Sequence, residues 1–382
     1  MKLQSLSVLI STMLMVSSAG AAEVYNKDGN KLNLYGKLNG MHHFSDDDDK
    51  NGDYSSIHYG IQGETNISDG VTGFGTWEHE GGLNKTESAS AKDNYTRLGF
   101  VGIKLTDIGS IDYGRNYGVL YDVGAWTDVM PAFGGENSIT DNFLAGRASN
   151  VLTYRNSNFF GMVDGLNFAL QYQGKNESKK NNIHTDRGLK EKNGTGYGVS
   201  LTYDVGNNVS VGATYNNSKH IFVQQEKAPV GVSSPTNKDK KNIDGYSFGM
   251  KYDAYNLYLA ALYSATRNMT PYGDFSSSNT VNDEIYGFAK KARNLELIAQ
   301  YQFDFGPRPS IGYLQSRIDS NHNGDKHQNI KKYVEVGASY KFNKNMLTFI
   351  DYRINLLSKN KFISTTKIST DNIVAFGMTY IF

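Results

Sequence analysis

The chain has 382 residues and no cysteine, and its 39 Lys and Arg nearly cancel its 38 Asp and Glu. Without cysteine there is no disulfide framework, no Cys-based zinc site and no thiol nucleophile. The charge balance speaks against a nucleic-acid partner, which would favour a basic patch.

Residues 1–21 have the make-up of a secretory signal. Lys2 is the positive start, Val8-Leu9-Ile10 through Met13-Leu14-Met15-Val16 the apolar stretch, and Ala19-Gly20-Ala21 the small-residue cleavage site. The alternative, a membrane anchor, needs about 20 apolar residues, more than are present. Cleavage after Ala21 leaves residues 22–382 as one domain that starts Ala22-Glu23-Val24-Tyr25.

Strand-period alternation runs from Leu32 to the end of the chain. In the second strand His58, Gly60, Gln62 and Glu64 share a face opposite Ile57, Tyr59 and Ile61. In the fourth, Arg97 and Gly99 oppose Leu98 and Phe100; a charge on a lipid face would cost about 2–4 kcal/mol at mid-membrane, so Arg97 is expected inside, with Gly99 giving it room. Between Asp112–Asn116 and Thr153–Asn158 lies a connection of roughly thirty residues that contains Asp128 and the run from Met130 to Glu136. A loop that long inside a compact domain is usually functional or disordered, and its aromatics and turn glycines favour function. Near the end, Val334, Val336, Ala338 and Tyr340 oppose Glu335, Gly337, Ser339 and Lys341. Thr348, Ile350 and Tyr352 oppose Phe349, Asp351 and Arg353. Phe376, Met378, Tyr380 and Phe382 oppose Ala375, Gly377, Thr379 and Ile381.

One apolar face and one small or polar face fits a barrel with lipid outside and water inside. A soluble sandwich is the competing reading, but its strands are mostly shorter than these. Tight turns such as Ser68-Asp69-Gly70, Asp253–Asn256 and Asn343-Lys344-Asn345 alternate with long polar connections such as 82–94, 175–193 and 357–371. That is the arrangement of a membrane barrel. About sixteen strands result, enough for an aqueous lumen. The expected fold is all-β: a sixteen-stranded antiparallel transmembrane β-barrel whose third loop folds inward.

Enzyme chemistry has little footing. The histidines are scattered and no Gly-x-Ser-x-Gly elbow accompanies them, which leaves an outer-membrane phospholipase as the enzyme alternative. His42 and His43 point to opposite strand faces and cannot easily share a metal. The run Asp46-Asp47-Asp48-Asp49-Lys50 reads as a solvated loop kept extended by like charges, with divalent ions at a lipopolysaccharide surface as a weaker reading. No metal or cofactor is implied.

Several segments together resemble the general diffusion porins of enteric Gram-negative outer membranes, the porin F and porin C group: Glu23–Lys31, Asp112–Asn116, Tyr154–Gly161, Lys251–Ala254, Gln300–Gly306, Asn343–Met346 and the terminal Phe382. The resemblance implies a homotrimer in the outer membrane, among lipid and lipopolysaccharide, that passes ions and small polar solutes. It also implies a constriction. The family's basic wall positions fall on Lys37, Arg97 and Arg147, its loop acid on Asp128 with Glu136 a further loop carboxylate, and its loop-base tyrosines on Tyr117 and Tyr121. Two positions depart: His58 stands where the family has a wall arginine, and Ala132 where it has a second loop acid. His58 is expected beside Arg97, charged only in acid. Glu87 matches the acid by which the family's second loop latches onto a neighbouring subunit, with Arg115 as its partner. Tyr380 and Phe382 resemble the signal read by the barrel-assembly machinery. The competing functions are a substrate-specific channel, which needs an aromatic slide, and a non-transporting barrel serving as adhesin or phage receptor.

Overall fold

The computed structural model describes residues 22–88, 94–135, 138–176, 191–219, 242–273, 287–319 and 327–382. The expected signal at 1–21 lies outside them, as does Glu136. In chain order the elements are β1 (Ala22–Lys27), β2 (Asn30–Ser45), β3 (Gly52–Asp53), β4 (Ser56–Ser68), β5 (Val71–Gly82), β6 (Tyr95–Leu105), β7 (Gly109–Tyr117), α1 (Tyr121–Gly124), β8 (Arg147–Asn156), α2 (Asn158–Gly161), β9 (Leu166–Gln173), β10 (Gly196–Gly206), β11 (Val209–Lys219), β12 (Asn242–Ala254), β13 (Leu257–Arg267), β14 (Pro271–Tyr272), β15 (Gly287–Phe288), β16 (Ala292–Tyr301), β17 (Pro307–Asp319), β18 (His327–Lys341), β19 (Met346–Asn355), α3 (Lys361–Thr365) and β20 (Ile373–Ile381).

Eighteen of these strands form one hydrogen-bonded sheet. The sheet is closed: β2 pairs antiparallel with β4 on one side and with β20 on the other. β1 pairs with the first half of β2 and β20 with its second half, so these two share one wall position. β3 is a two-residue addition beside β2. Setting β3 aside and counting β1 with β20 leaves sixteen wall strands. Among the described residues this ring of wall strands closes on itself through backbone pairing, which is the condition for crossing lipid.

The burial pattern is inverted relative to a soluble protein. In β12, Tyr246, Phe248 and Met250 are exposed while Ser247 is buried. In β19, Ile350 and Tyr352 are exposed while Asp351 is buried. In β20, Phe376, Met378 and Tyr380 are exposed and Ala375 and Thr379 are buried. The faces expected for these last strands are those observed. The outer face is therefore apolar and the inner face carries the polar groups, as a lipid-embedded wall requires.

The turns at one rim are short. Tyr255 and Asn256 both take positive φ between β12 and β13, a two-residue hairpin turn. The β8–β9 connection is different: Asn158, Phe159 and Phe160 all take positive φ in a compact turn around α2. At the other rim, α3 packs Phe362 and Ile363 against Ala289, Ile318 and Ile330. The long third loop, residues 118–146, lies against an apolar patch of the inner wall. Val123, Trp126 and Met130 of the loop cluster with Tyr258, Ala260, Leu262 and Ile298 of the wall.

Candidate functional site

The third loop leaves β7, turns inward through α1 and crosses the lumen. Its root is fixed by Gln171, whose side chain accepts from Val119 N at 3.0 Å and donates to the Tyr117 carbonyl at 2.9 Å. Asp122 accepts from Arg155 at 2.8 Å and from the Ser200 hydroxyl at 2.5 Å. Further along, Thr127 donates to the Glu296 carboxylate. The Tyr258 hydroxyl donates to the Trp126 carbonyl at 2.6 Å, and Gln300 to the Val129 carbonyl at 2.7 Å. The tip is held by Asp351, whose Oδ2 accepts from Ala132 N at 3.0 Å and Phe133 N at 3.3 Å. Backbone groups inside a barrel need such partners, since an unpaired buried one costs about 1–3 kcal/mol.

The wall has no side chain where the loop presses closest. A Cβ on Gly212 would lie 2.6 Å from Val123 and 2.9 Å from Trp126, and one on Gly249 would collide with Val123.

On the opposite wall the charged side chains form a chain of contacts. Arg97 Nε lies 2.5 Å from Glu78 Oε1, and Arg97 Nη1 lies 2.6 Å from Glu80 Oε2. His58 Nε2 lies 3.0 Å from that same Glu80 oxygen. The Tyr35 hydroxyl donates to Glu78 Oε2 at 3.0 Å. Lys37, paired in register with His58, lies within electrostatic reach of Arg97, Glu80, Glu78 and Asp128. Glu78 and Glu80 had no place in the sequence reading. They stand two apart on β5, on the face opposite Trp77 and His79, so the period of the strand was the signal that could have found them.

Arg97 reaches this cluster by a different route from the one expected. Strict alternation puts it beside Gly99 and opposite Leu98 and Phe100. The β5–β6 register slips between Glu78, which faces Leu98, and His79, which faces Thr96. Arg97 is the extra residue of a β-bulge, and the bulge re-aims its side chain. Leu98 and Phe100 are buried on the inner side with Tyr117, and Gly99 lies with exposed Val101 on the outer face. Gly99 therefore gives Arg97 no room.

On the loop, the Tyr121 hydroxyl donates to Asp128 Oδ2 at 2.7 Å and its ring stacks on Tyr117, with centroids 4.4 Å apart. Burial, followed by the neighbouring Asp128 charge, pushes the Tyr121 phenol well above its ordinary range. Gly135 takes φ of +57°, and a Cβ there would run into the Asp128 carboxylate. Arg147 pairs in register with Tyr117, its charge reaches Tyr121 and Tyr95, and its buried Nε has no hydrogen-bond partner among the described residues. Lys37, His58, Arg97, Tyr117, Tyr121, Asp128 and Arg147 are thus linked by contact, register or electrostatic reach. Ala132 sits apart, at the loop tip against Asp351.

Arg115 points away from this group. It binds Asp141 through two nitrogens, at 2.6 and 3.0 Å, and also the Ser149 hydroxyl at 2.8 Å. Glu87 is exposed in the second loop. Phe382 exchanges two backbone hydrogen bonds with Gly36, at 2.9 and 3.0 Å, beside exposed Tyr380.

Comparison with known proteins agrees with this architecture. The family described as Gram-negative porin matches residues 27–382. Outer membrane protein F of Serratia marcescens is 50% identical over 387 residues, with 100% of both chains covered. Outer membrane porin C of Salmonella typhimurium is 50% identical over 386 residues, again with 100% of both covered. Among solved structures, that of Salmonella typhi OmpF in complex with daunomycin aligns with a TM-score of 0.83 and 41% identity, covering 94% of this chain and 100% of that one.

Proposed function

The chain belongs to the Gram-negative porin family, and from that premise we propose that its third loop and the facing wall form the constriction of the channel. The protein is an outer-membrane porin, a water-filled barrel for passive diffusion of ions and small hydrophilic solutes. Asp128 supplies the acid on the loop side, and Lys37, Arg97 and Arg147 the cations opposite. Opposed charges in a narrow, water-filled gap select by size and electrostatics without binding any one solute tightly. The observation that supports this reading is the docking of the loop onto inward-facing Glu296, Gln300 and Asp351, through the Thr127 hydroxyl, the Val129 carbonyl and the Ala132 N–H.

Three further assignments go with it. Residues 1–21 act as a signal removed after Ala21. Three copies assemble, with Glu87 of each reaching Arg115 of the next; Arg115 already holds Asp141, so the incoming carboxylate would join an existing pair. Tyr380 and Phe382 are presented to the assembly machinery, and the long loops face lipopolysaccharide.

Single-channel recording of the purified protein in a planar bilayer tests the central reading. Stable ohmic steps with weak ion preference are expected. A folded barrel that gives no conductance would leave the adhesin or phage-receptor alternative standing instead.

A further inference from the structure

We propose that Glu80 determines the ion preference of this channel, by holding a lumen-facing carboxylate within its cationic wall. The proposal rests on the pore reading above and goes beyond it, since Glu80 is not among the positions that the porin resemblance supplies.

Glu78 and Glu80 both bind Arg97, but they are placed differently. The Glu78 side chain is 2% exposed and lies beneath the guanidinium, tied to Arg97 Nε and to the Tyr35 hydroxyl. It positions Arg97. The Glu80 side chain is 19% exposed and grips the outer nitrogen of Arg97. It also contacts His58 Nε2 and hydrogen-bonds the Tyr95 hydroxyl. Partners on two strands, His58 on β4 and Tyr95 and Arg97 on β6, fix it in place while it still meets water. A fixed charge at the wall of a narrow aqueous gap acts on every passing ion, because no side-chain rearrangement removes it.

The consequence is a change in what an ion meets. An anion drawn toward Arg97 encounters the Glu80 oxygens beside it. With His58 neutral, the wall cations Lys37, Arg97 and Arg147 stand against Glu78 and Glu80, and Asp128 on the loop adds a further negative charge. The gap is then close to balanced, whereas removal of Glu80 leaves it net basic.

The test is Glu80→Gln, which keeps the size and the ability to accept from Tyr95 while removing the charge. Zero-current potentials are measured in a KCl gradient at neutral pH. The potassium-over-chloride permeability ratio is expected to fall about sevenfold, since one unit charge at roughly 7 Å in water favours the cation and disfavours the anion by about threefold each. Glu80→Asp, which keeps the charge, is expected to stay near the wild-type ratio. If E80Q conducts with an unchanged ratio, or if E80D shifts as far as E80Q, the proposal is overturned. Should E80Q fail to assemble, Glu80→Ser reads the same shift with a small hydroxyl and room for water. A wild-type protein without conductance would sink the pore reading itself, a result distinct from either of these.

Discussion

The Phe133 ring lies 4.3 Å from the guanidinium of Arg353, and the ring of Tyr333 lies 4.3 Å from it on another side. The tip of the third loop is therefore fastened to β19 by a cation between aromatic rings as well as by the Asp351 hydrogen bonds. Arg353 is itself held by Glu335, at 3.0 Å. Phe133→Ala is expected to remove about 0.5–2 kcal/mol of this docking. The two backbone bonds to Asp351 remain, so the loop stays inside but moves more. Open-channel current noise should rise with little change in mean conductance, and Phe133→Tyr should restore quiet recordings.

Asp122 is the loop's anchor near its root. Asp122→Ala leaves Arg155 without its carboxylate in a largely buried site. Breaking one half of such a pair costs about 3–5 kcal/mol. The variant barrel should unfold at a clearly lower temperature in detergent, followed by heat-modifiable gel migration. Wild-type thermal stability in this variant would mean that Arg155 reaches water or another acid.

His58 shares a carboxylate oxygen with Arg97, so its charge state bears on the gap. Acidification that protonates the His58 imidazole adds a positive charge to the wall. The sign follows directly: anion permeability rises relative to cation permeability as pH falls, and declines again as pH rises. In His58→Gln this change should be absent over the same range, while any effect of carboxylate protonation below about pH 5 persists. Coincident curves for the two proteins would remove His58 from the account.

Ala132→Glu returns a second acid to the loop. It should lower single-channel conductance and shift the zero-current potential toward the cation. A variant that does neither would place the loop tip away from the narrowest point.

The sequence was legible where one physical rule acts alone. Alternation assigned the faces of β18, β19 and β20 correctly, because lipid on one side and water on the other sort side chains with period two. The third loop stood out by length. Alternation failed at Arg97, where one extra residue in β6 reverses the faces of Leu98 and Gly99. In the β8–β9 turn three successive non-glycine residues, Asn158, Phe159 and Phe160, take positive φ ahead of Gly161, a conformation that no short turn pattern announces. Asp351 and Arg353 read as lumen residues, but the partners of Asp351 at the loop tip lie more than 200 residues away along the chain, 219 for Ala132, and no local pattern carries that information. Strand period puts Glu78 and Glu80 on one face of β5, but their partner Arg97 comes from the bulge in β6, which that period does not show.

The glycines beneath the loop have a consequence for how such a channel changes over time. Gly212 and Gly249 let Val123 and Trp126 sink into the wall, so the loop is inlaid and its back surface alone decides how firmly it sits. Its front surface, with Asp128, and the wall across the gap, with Glu80 and His58, take no part in that seating. Size and charge are thereby assigned to separate surfaces. Substitutions on one can retune which ions pass without loosening the aperture, and a channel built this way can drift in preference while its bore stays the same.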